Sequence, residues 1–511
     1  VFLQNLLKIQ RINYKLIAQK LILGYSSRIA AQVLQMVGML IVARILGPNV
    51  TGTVAFGLAF VSMFLFIADF GLSSAHIKLI SEGQDQAKCN GTFARLKLLL
   101  IGVYTVVVLG FYLAQKYIFG VTFESPDHEY VILIYLALVS INQVYNIPSS
   151  TFAAKTEQAK QDIPAFIQLL FYQILRVIVA FLGYKAIAQS LSNLAAVILV
   201  FPVYLYLFRG NPVGKFDKSL AKIYFNISIP VFIVLIAQTI IYSTDRVILQ
   251  YLTNSEEVGY YSAGFGISQF VRLIESSAGI LFFPFFSKNI SEGEYEKINT
   301  SISKYERFNL SFVLPLVFYI MIFAEFVVSV ALGKKFIKTP PMLAIITMSM
   351  FVSLINLPYI NVISGKGLFK QSAFVYVVGT LFFVLFSFLF VSPYLLDLKG
   401  IGIALSLLST NVFFGLVFMI YSKKELNVIN IFPGRNLLIY GLLYSTVAYF
   451  IYNLFSFDFA GKIIASVIFF AGYFGFAFLF KLITIEDWKM TLEIINLKKM
   501  YNYVNSELKN K

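Results

Sequence analysis

Apolar positions along this chain do not recur every second or every third to fourth residue. They persist for about twenty residues at a time and are punctuated by short polar stretches. In the first half the runs cover 21–45, 54–76, 96–117, 130–153, 163–185 and 189–208. In the second they cover 223–247, 260–286, 308–332, 341–363, 371–392 and 400–421, followed by 436–455 and 462–482. Each is near the roughly 20 residues that cross a bilayer as a helix. The pattern predicts an all-α polytopic membrane protein with fourteen transmembrane helices. The segment 1–18 mixes Phe2, Leu3, Leu6, Leu7, Ile9 and Ile12 with Lys8, Arg11 and Lys15, as in a helix lying on a membrane surface. The tail 484–511 reads the same way.

A phrase occurs twice. Lys78–Gly83 reads K-L-I-S-E-G and Lys288–Gly293 reads K-N-I-S-E-G, 210 residues apart; Asn146-Ile-Pro148 and Asn356-Leu-Pro358 match at the same offset. Two matches at one offset indicate a duplicated unit. Six predicted helices separate the phrases, so both lie on one side and the halves are parallel repeats, as in many secondary transporters. The expected organisation is a surface segment 1–18, six-helix bundles over 19–210 and 211–425, two further helices within 426–483, and a surface tail 484–511.

Composition sharpens this reading. Hydrophobic residues make up 59% of the 511 residues and charged residues 13%, against roughly 25% charged in soluble domains. The net charge of +16 would suggest nucleic acid in a soluble protein, but its distribution explains it otherwise. On the predicted topology 29 of the 41 Lys and Arg residues fall on one side, nine on the other and three within helices. The basic side is cytoplasmic by the positive-inside rule, which places both termini there. A lone cysteine, Cys89, excludes an intrachain disulfide, and His76 and His128 are too far apart in sequence to suggest a metal site. No removable signal peptide is evident. Gly47-Pro-Asn-Val-Thr-Gly52-Thr53 has phosphate-loop glycine spacing without the lysine, so nucleotide-driven transport is not expected. The loops are too short to carry catalytic domains. A transporter is expected, not an enzyme, with no cofactor and no metal.

Chemistry then rests on ionisable residues inside helices, where a charge costs about 2.5–3.5 kcal/mol and faces protein or a watery cavity. These are Arg28, Asp69, Arg176, Arg272 and Glu275, with Asp245 and Arg246 near a helix end. Two readings stand. Arg28 with Asp69, and Arg272 with Glu275, fix helix packing as ion pairs; or Arg28, Arg176 and Arg272 line a cationic cavity between the halves and bind pyrophosphate through forked hydrogen bonds. Asp69 and Glu275 are the candidates for H+ or Na+ coupling. Pro148, Pro230 and Pro358 interrupt helices and are either hinges or static kinks.

Ala43-Arg-Ile-Leu-Gly-Pro48 with Gly52, Asp69-Phe-Gly-Leu72, Asn226-Ile-Ser-Ile-Pro230, Asp245-Arg246 and Val258-Gly-Tyr-Tyr-Ser-Ala263 together resemble the Wzx-type polysaccharide flippases of the multidrug/oligosaccharidyl-lipid/polysaccharide exporter superfamily. The resemblance covers nearly the whole chain. It implies flipping of undecaprenyl-pyrophosphate-linked oligosaccharide, such as an O-antigen unit, across the bacterial inner membrane by alternating access. Ion coupling and contact with a polymerase and chain-length proteins are implied too; nucleic acid is not. The alternative is a drug/cation antiporter of the same superfamily, which unpaired carboxylates in the cavity would favour.

Overall fold

The computed structural model describes residues 14–426 and 435–485, and within them not the side chains of 14–29, 273–285, 287, 288, 369 and 426. The expected surface segments therefore lie almost wholly outside the described residues, as do the side chains of Arg28 and Glu275.

Every described regular element is helical. The first half of the chain forms α1 (Tyr14–Leu46), α2 (Pro48–Ser62), α3 (Leu65–Asp69), α4 (Leu72–Ser81), α5 (Gln86–Tyr117), α6 (Pro126–Ala154), α7 (Gln158–Phe181) and α8 (Ala186–Phe208). The second forms α9 (Lys218–Leu252), α10 (Ser255–Ser291), α11 (Tyr295–Phe308), α12 (Leu314–Ile322), α13 (Ala324–Ala331), α14 (Thr339–Gly365), α15 (Phe369–Val391) and α16 (Lys399–Leu426), followed by α17 (Arg435–Leu454) and α18 (Phe459–Leu479). A π turn, Asn309–Val313, joins α11 to α12. Eleven described helices are long and apolar enough to cross a membrane, or twelve when the pair α2 and Leu65–Ser81, bent by 44°, counts as one span. The other two expected spans fall in α1 and α10, which contain residues outside the description.

Local sequence sets the helix ends. Asp85 and Asp217 cap α5 and α9 by accepting backbone N–H groups of Lys88, and of Ser219 and Leu220. Pro48 and Pro126 occupy the first turns of α2 and α6, where no helical N–H is needed. The repeated phrase proves to be a helix stop. Gly83 and Gly293 take φ of 84° and 73°, and the following N–H of Gln84 or Glu294 reaches back to the carbonyl of Leu79 or Asn289 at 3.1 and 2.9 Å. Both closures are of the Schellman type, so the duplication is visible in hydrogen bonds as well as letters.

The Asp69-Phe-Gly-Leu72 motif breaks a span. Phe70 and Gly71 both have positive φ, 50° and 77°, and end α3 before α4 begins. A Cβ on Gly71 would lie 2.9 Å from the Ser228 carbonyl oxygen, so α9 passes against the break where only glycine leaves room. Several helices outrun their apolar cores: α5 starts at Gln86, not near 96, and α11 at Tyr295, not near 308.

The halves meet differently at the two ends. At the end opposite the Gly83 and Gly293 turns, the corresponding helices α2 and α10 cross backbone to backbone. A Cβ on Gly52 would lie 1.7 Å from the Ser255 oxygen, and one on Gly259 would lie 1.9 Å from that of Pro48. Arg44 donates to the Val330 carbonyl at 2.8 Å and Lys335 to that of Ile45 at 2.9 Å across the same seam. At the turn end α9 bridges the halves: its Leu220, Ala221 and Tyr224 pack among Leu72, Ala75, Cys89 and Phe93, while Ile241, further along, joins a second cluster with Tyr359 and Phe414.

Candidate functional site

Two cavities lie along the bent second span and α9. The larger, about 490 Å³, is bounded by α2 up to Ser62 and by Tyr242, Ser243 and Arg246 of α9. The smaller, about 340 Å³, begins at Leu65 beyond the bend and reaches Leu235 and Thr239 of α9. Both draw on each half of the chain.

Two arginines line the larger cavity, and their surroundings differ. Arg246 Nη1 lies 3.1 Å from Oδ1 and 3.2 Å from Oδ2 of Asp245, and donates to the Tyr242 carbonyl at 3.2 Å. Its guanidinium sits 4.5 Å from the Phe265 ring centroid. Asp245, 1% exposed, also accepts from the Tyr261 hydroxyl at 2.9 Å. This arginine is neutralised and clamped. Arg176 has no acid partner among the described residues. Its guanidinium lies 5.0 Å from the Tyr172 ring, and its buried Nε has no hydrogen-bond partner. The remaining polar lining, including Gln32, Gln35, Gln189, Asn193 and Gln269, is neutral. With one arginine compensated and the other not, the described lining of the cavity carries a net positive charge, which suits an anion.

The smaller cavity is neutral in sum. Asp69 is its charged lining residue, among Ser73, Gln143, Asn146, Ser149, Ser150, Gln161 and Thr239. Its Oδ1 accepts from Lys97 Nζ and from the Ser73 hydroxyl. The Lys97 side chain is fully buried behind it while the Asp69 side chain is 21% exposed. A buried ammonium requires such a partner, because an unpaired one in low dielectric is strongly disfavoured.

The two histidines are separately placed and bridge elements. His76 lies between the Tyr224 hydroxyl at 2.7 Å and the Thr151 hydroxyl at 3.0 Å, stacked on Phe93. His128 Nε2 meets the Ser255 hydroxyl at 2.8 Å.

Residues 41–341, more than half of the chain, match the family described as polysaccharide biosynthesis protein. The chain belongs to this family. A search of curated proteins returned no match. Among solved structures the fold is similar to the lipid II flippase MurJ in its inward closed conformation, at 16% identity and a TM-score of 0.72, covering 90% of this chain and 98% of that one. It is also similar to an inward-facing multidrug resistance MATE transporter, at 15% identity and a TM-score of 0.64, covering 78% and 94%. A third similar structure is a transporter of the MOP superfamily from Pyrococcus furiosus, at 15% identity and a TM-score of 0.57, covering 82% and 97%. The family is that of polysaccharide biosynthesis proteins, and the multi-helix fold is one shared with these solved flippase and transporter structures.

In this polysaccharide biosynthesis protein the expected site residues are only partly brought together. Arg176 and Arg246 share the larger cavity. Arg272 stands outside its lining, with its guanidinium 5.0 Å from the ring of Tyr242, which does line it. The expected partner of Asp69, Arg28, has its side chain outside the described residues; among those described, Asp69 pairs with Lys97. The expected apolar run begins at 96, which leaves Lys97 at the edge of the predicted span. The early start of α5 carries it into the fourth turn, facing α3. Asp245 and Arg246 pair with each other. Pro148, Pro230 and Pro358 all lie inside helices α6, α9 and α14.

Proposed function

We propose that this protein flips an undecaprenyl-pyrophosphate-linked oligosaccharide, a surface-polysaccharide or O-antigen repeat unit, from the cytoplasmic to the periplasmic leaflet of the bacterial inner membrane. The observation that carries the proposal is Arg176, an arginine without an acid partner among the described residues, in a cavity drawn from both halves. A pyrophosphate needs compensation to cross the bilayer, and a guanidinium supplies a planar fork of donors. Arg28 and Arg272 are proposed to join Arg176 when the halves move, and Arg246 lends its free edge while Asp245 holds it. The Gly83 and Gly293 turns and both termini face the cytoplasm on this reading, supported by the lysine and arginine bias. The halves 19–210 and 211–425 alternate access, with Pro148, Pro230 and Pro358 as hinges; the cycle draws on an ion gradient, and a polymerase receives the product. A cavity with an uncompensated arginine weighs against a carrier of cationic drugs.

The test compares Arg176→Ala with Arg176→Lys. Losing charge-assisted hydrogen bonds worth about 1.5–3 kcal/mol lowers surface polysaccharide roughly ten- to a hundredfold for alanine at unchanged membrane protein level. Lysine, which keeps the charge without the fork, recovers part. Wild-type polysaccharide from Arg176→Ala rules the reading out.

A further inference from the structure

Three acidic side chains are buried among the described residues: Asp245, Glu257 and Glu306. Asp245 is paired with Arg246 and Glu257 with Lys338 at 2.9 Å. Glu306 has no cationic partner among the described side chains. It sits on α11 within the Tyr295–Ile322 span, 0% exposed. Its Oε1 accepts from the Tyr359 hydroxyl of α14, and its Oε2 has no partner. The neighbouring basic side chains on its own helix turn elsewhere: Lys304 is exposed, and Arg307 donates to the Leu482 carbonyl. From the facing helix the titratable group is Tyr359 itself, whose backbone carbonyl accepts from the Ser422 hydroxyl. Around them pack Ile298, Ile302, Val362 and Ile363. Three residues after Glu306 the helix widens into the π turn Asn309–Val313, where Asn309 Oδ1 and Ser311 Oγ are also buried without partners. Such π turns are frequent at functional sites in helices.

An ionised carboxylate in this setting would be a buried charge with no counter-charge, which proteins avoid by protonating the group or moving it. We propose that Glu306 is a proton-binding site of the transport cycle. In the conformation described the carboxyl is neutral and its proton rides on Oε2, since Oε1 accepts from Tyr359. Release converts the acid to carboxylate and hands the proton to water, which requires α11 and α14 to part; the π turn, with one residue too many for an α-helical turn, is the place where α11 can rewind. Asp69 is less suited to this role because Lys97 already holds its counter-charge. The assignment goes beyond the flippase reading and its first test does not depend on it.

That test is infrared spectroscopy of the full chain in phospholipid vesicles across a pH titration. The wild type shows the C=O band of a protonated carboxylic acid at neutral pH, and Glu306→Gln loses it, whereas Glu124→Gln keeps it. Tyr359→Phe removes the hydrogen bond and shifts the band while leaving the acid in place, an arm that survives if Glu306→Gln fails to fold. No acid band in the wild type, or an undiminished band in Glu306→Gln, overturns the site. In cells Glu306→Gln lowers surface polysaccharide at least about tenfold at equal protein level; wild-type output overturns its part in the cycle. If Arg176→Ala also leaves polysaccharide untouched while the band behaves as stated, the flippase reading has failed and the proton site has not.

Discussion

Glu124 accepts both the backbone N–H of Ser255, at 2.7 Å, and its hydroxyl, at 2.6 Å. Gln250 adds a third donor at 3.0 Å. The carboxylate stands in the loop before α6 and its donors lie at the junction of α9 and α10, so one side chain ties the halves together beside the Gly52–Gly259 crossing.

Removing this tie should loosen that end. Glu124→Ala forfeits hydrogen bonds to a charged group worth about 1.5–3 kcal/mol each, enough to shift an open–closed balance roughly tenfold or more. The measurement is labelling of a cysteine at Ser262, which lines the larger cavity, by an impermeant thiol reagent from that side in a Cys89→Ser background. Labelling should accelerate; an unchanged rate would show that the tie does not hold the seam shut.

The same contact predicts a pH response. Burial pushes the Glu124 carboxyl up, but the hydrogen bonds from Ser255 and Gln250, with the nearby His128, outweigh it and hold the pKa below the usual carboxylate value. A group with a depressed pKa contributes its stabilisation above the ordinary carboxylate range and loses it as pH falls through the lowered value. Cysteine labelling at Ser262 should therefore be flat near neutrality and rise only in acid, and Glu124→Gln should remove the acid limb.

At the crossing itself a single methyl is a wedge. Gly52→Ala or Gly259→Ala places a Cβ inside the backbone of the other half, and such overpacking costs about 1–3 kcal/mol. The seam should open, giving faster labelling at Ser262 with a modest fall in melting temperature. If labelling stays slow, the helices have shifted without parting.

The Asp69–Lys97 pair should behave as a structural unit. Asp69→Asn strands a fully buried ammonium, at a cost of about 3–5 kcal/mol. Asp69→Asn combined with Lys97→Met should recover most of that stability, read by thermal unfolding in detergent. If the double variant is stable and exports normally, neither charge takes part in transport.

The helical architecture was legible because a spanning helix needs an apolar run, and hydropathy reports that directly. The repeat was legible because Gly83 and Gly293 sit where positive φ demands glycine. Asp245 and Arg246 were found together because they are adjacent in sequence. The partner of Asp69 was not, since pairing across α3 and α5 depends on helix phase. Glu306 escaped altogether. The stretch Tyr295–Arg307 looks like a charged loop, yet Ile298, Ile302 and Tyr305 are buried at spacings of four and three residues and take Glu306 inside with them. Reading that amphipathic period instead of mean hydropathy would have extended the helix and exposed the anomaly.

Helix α9 begins in the company of the first half and by Ile241 has joined that of the second, with Pro230 between Tyr224 and Ile241, before Gln250 and Tyr251 return to Glu124 and Gln115 of the first. The boundary between the repeats is thus a zigzag that one helix crosses, not a plane. Two rigid shells could rock on such a boundary only by tearing one set of α9 contacts. The economical alternative is for α9 to flex where proline has already removed a rung, leaving Tyr224 and Ile241 anchored to opposite shells. The helix would then act as a leaf spring whose curvature records the conformation of the protein, and a distance measured along α9 alone, from Tyr224 to Ile241, would report the position of both halves.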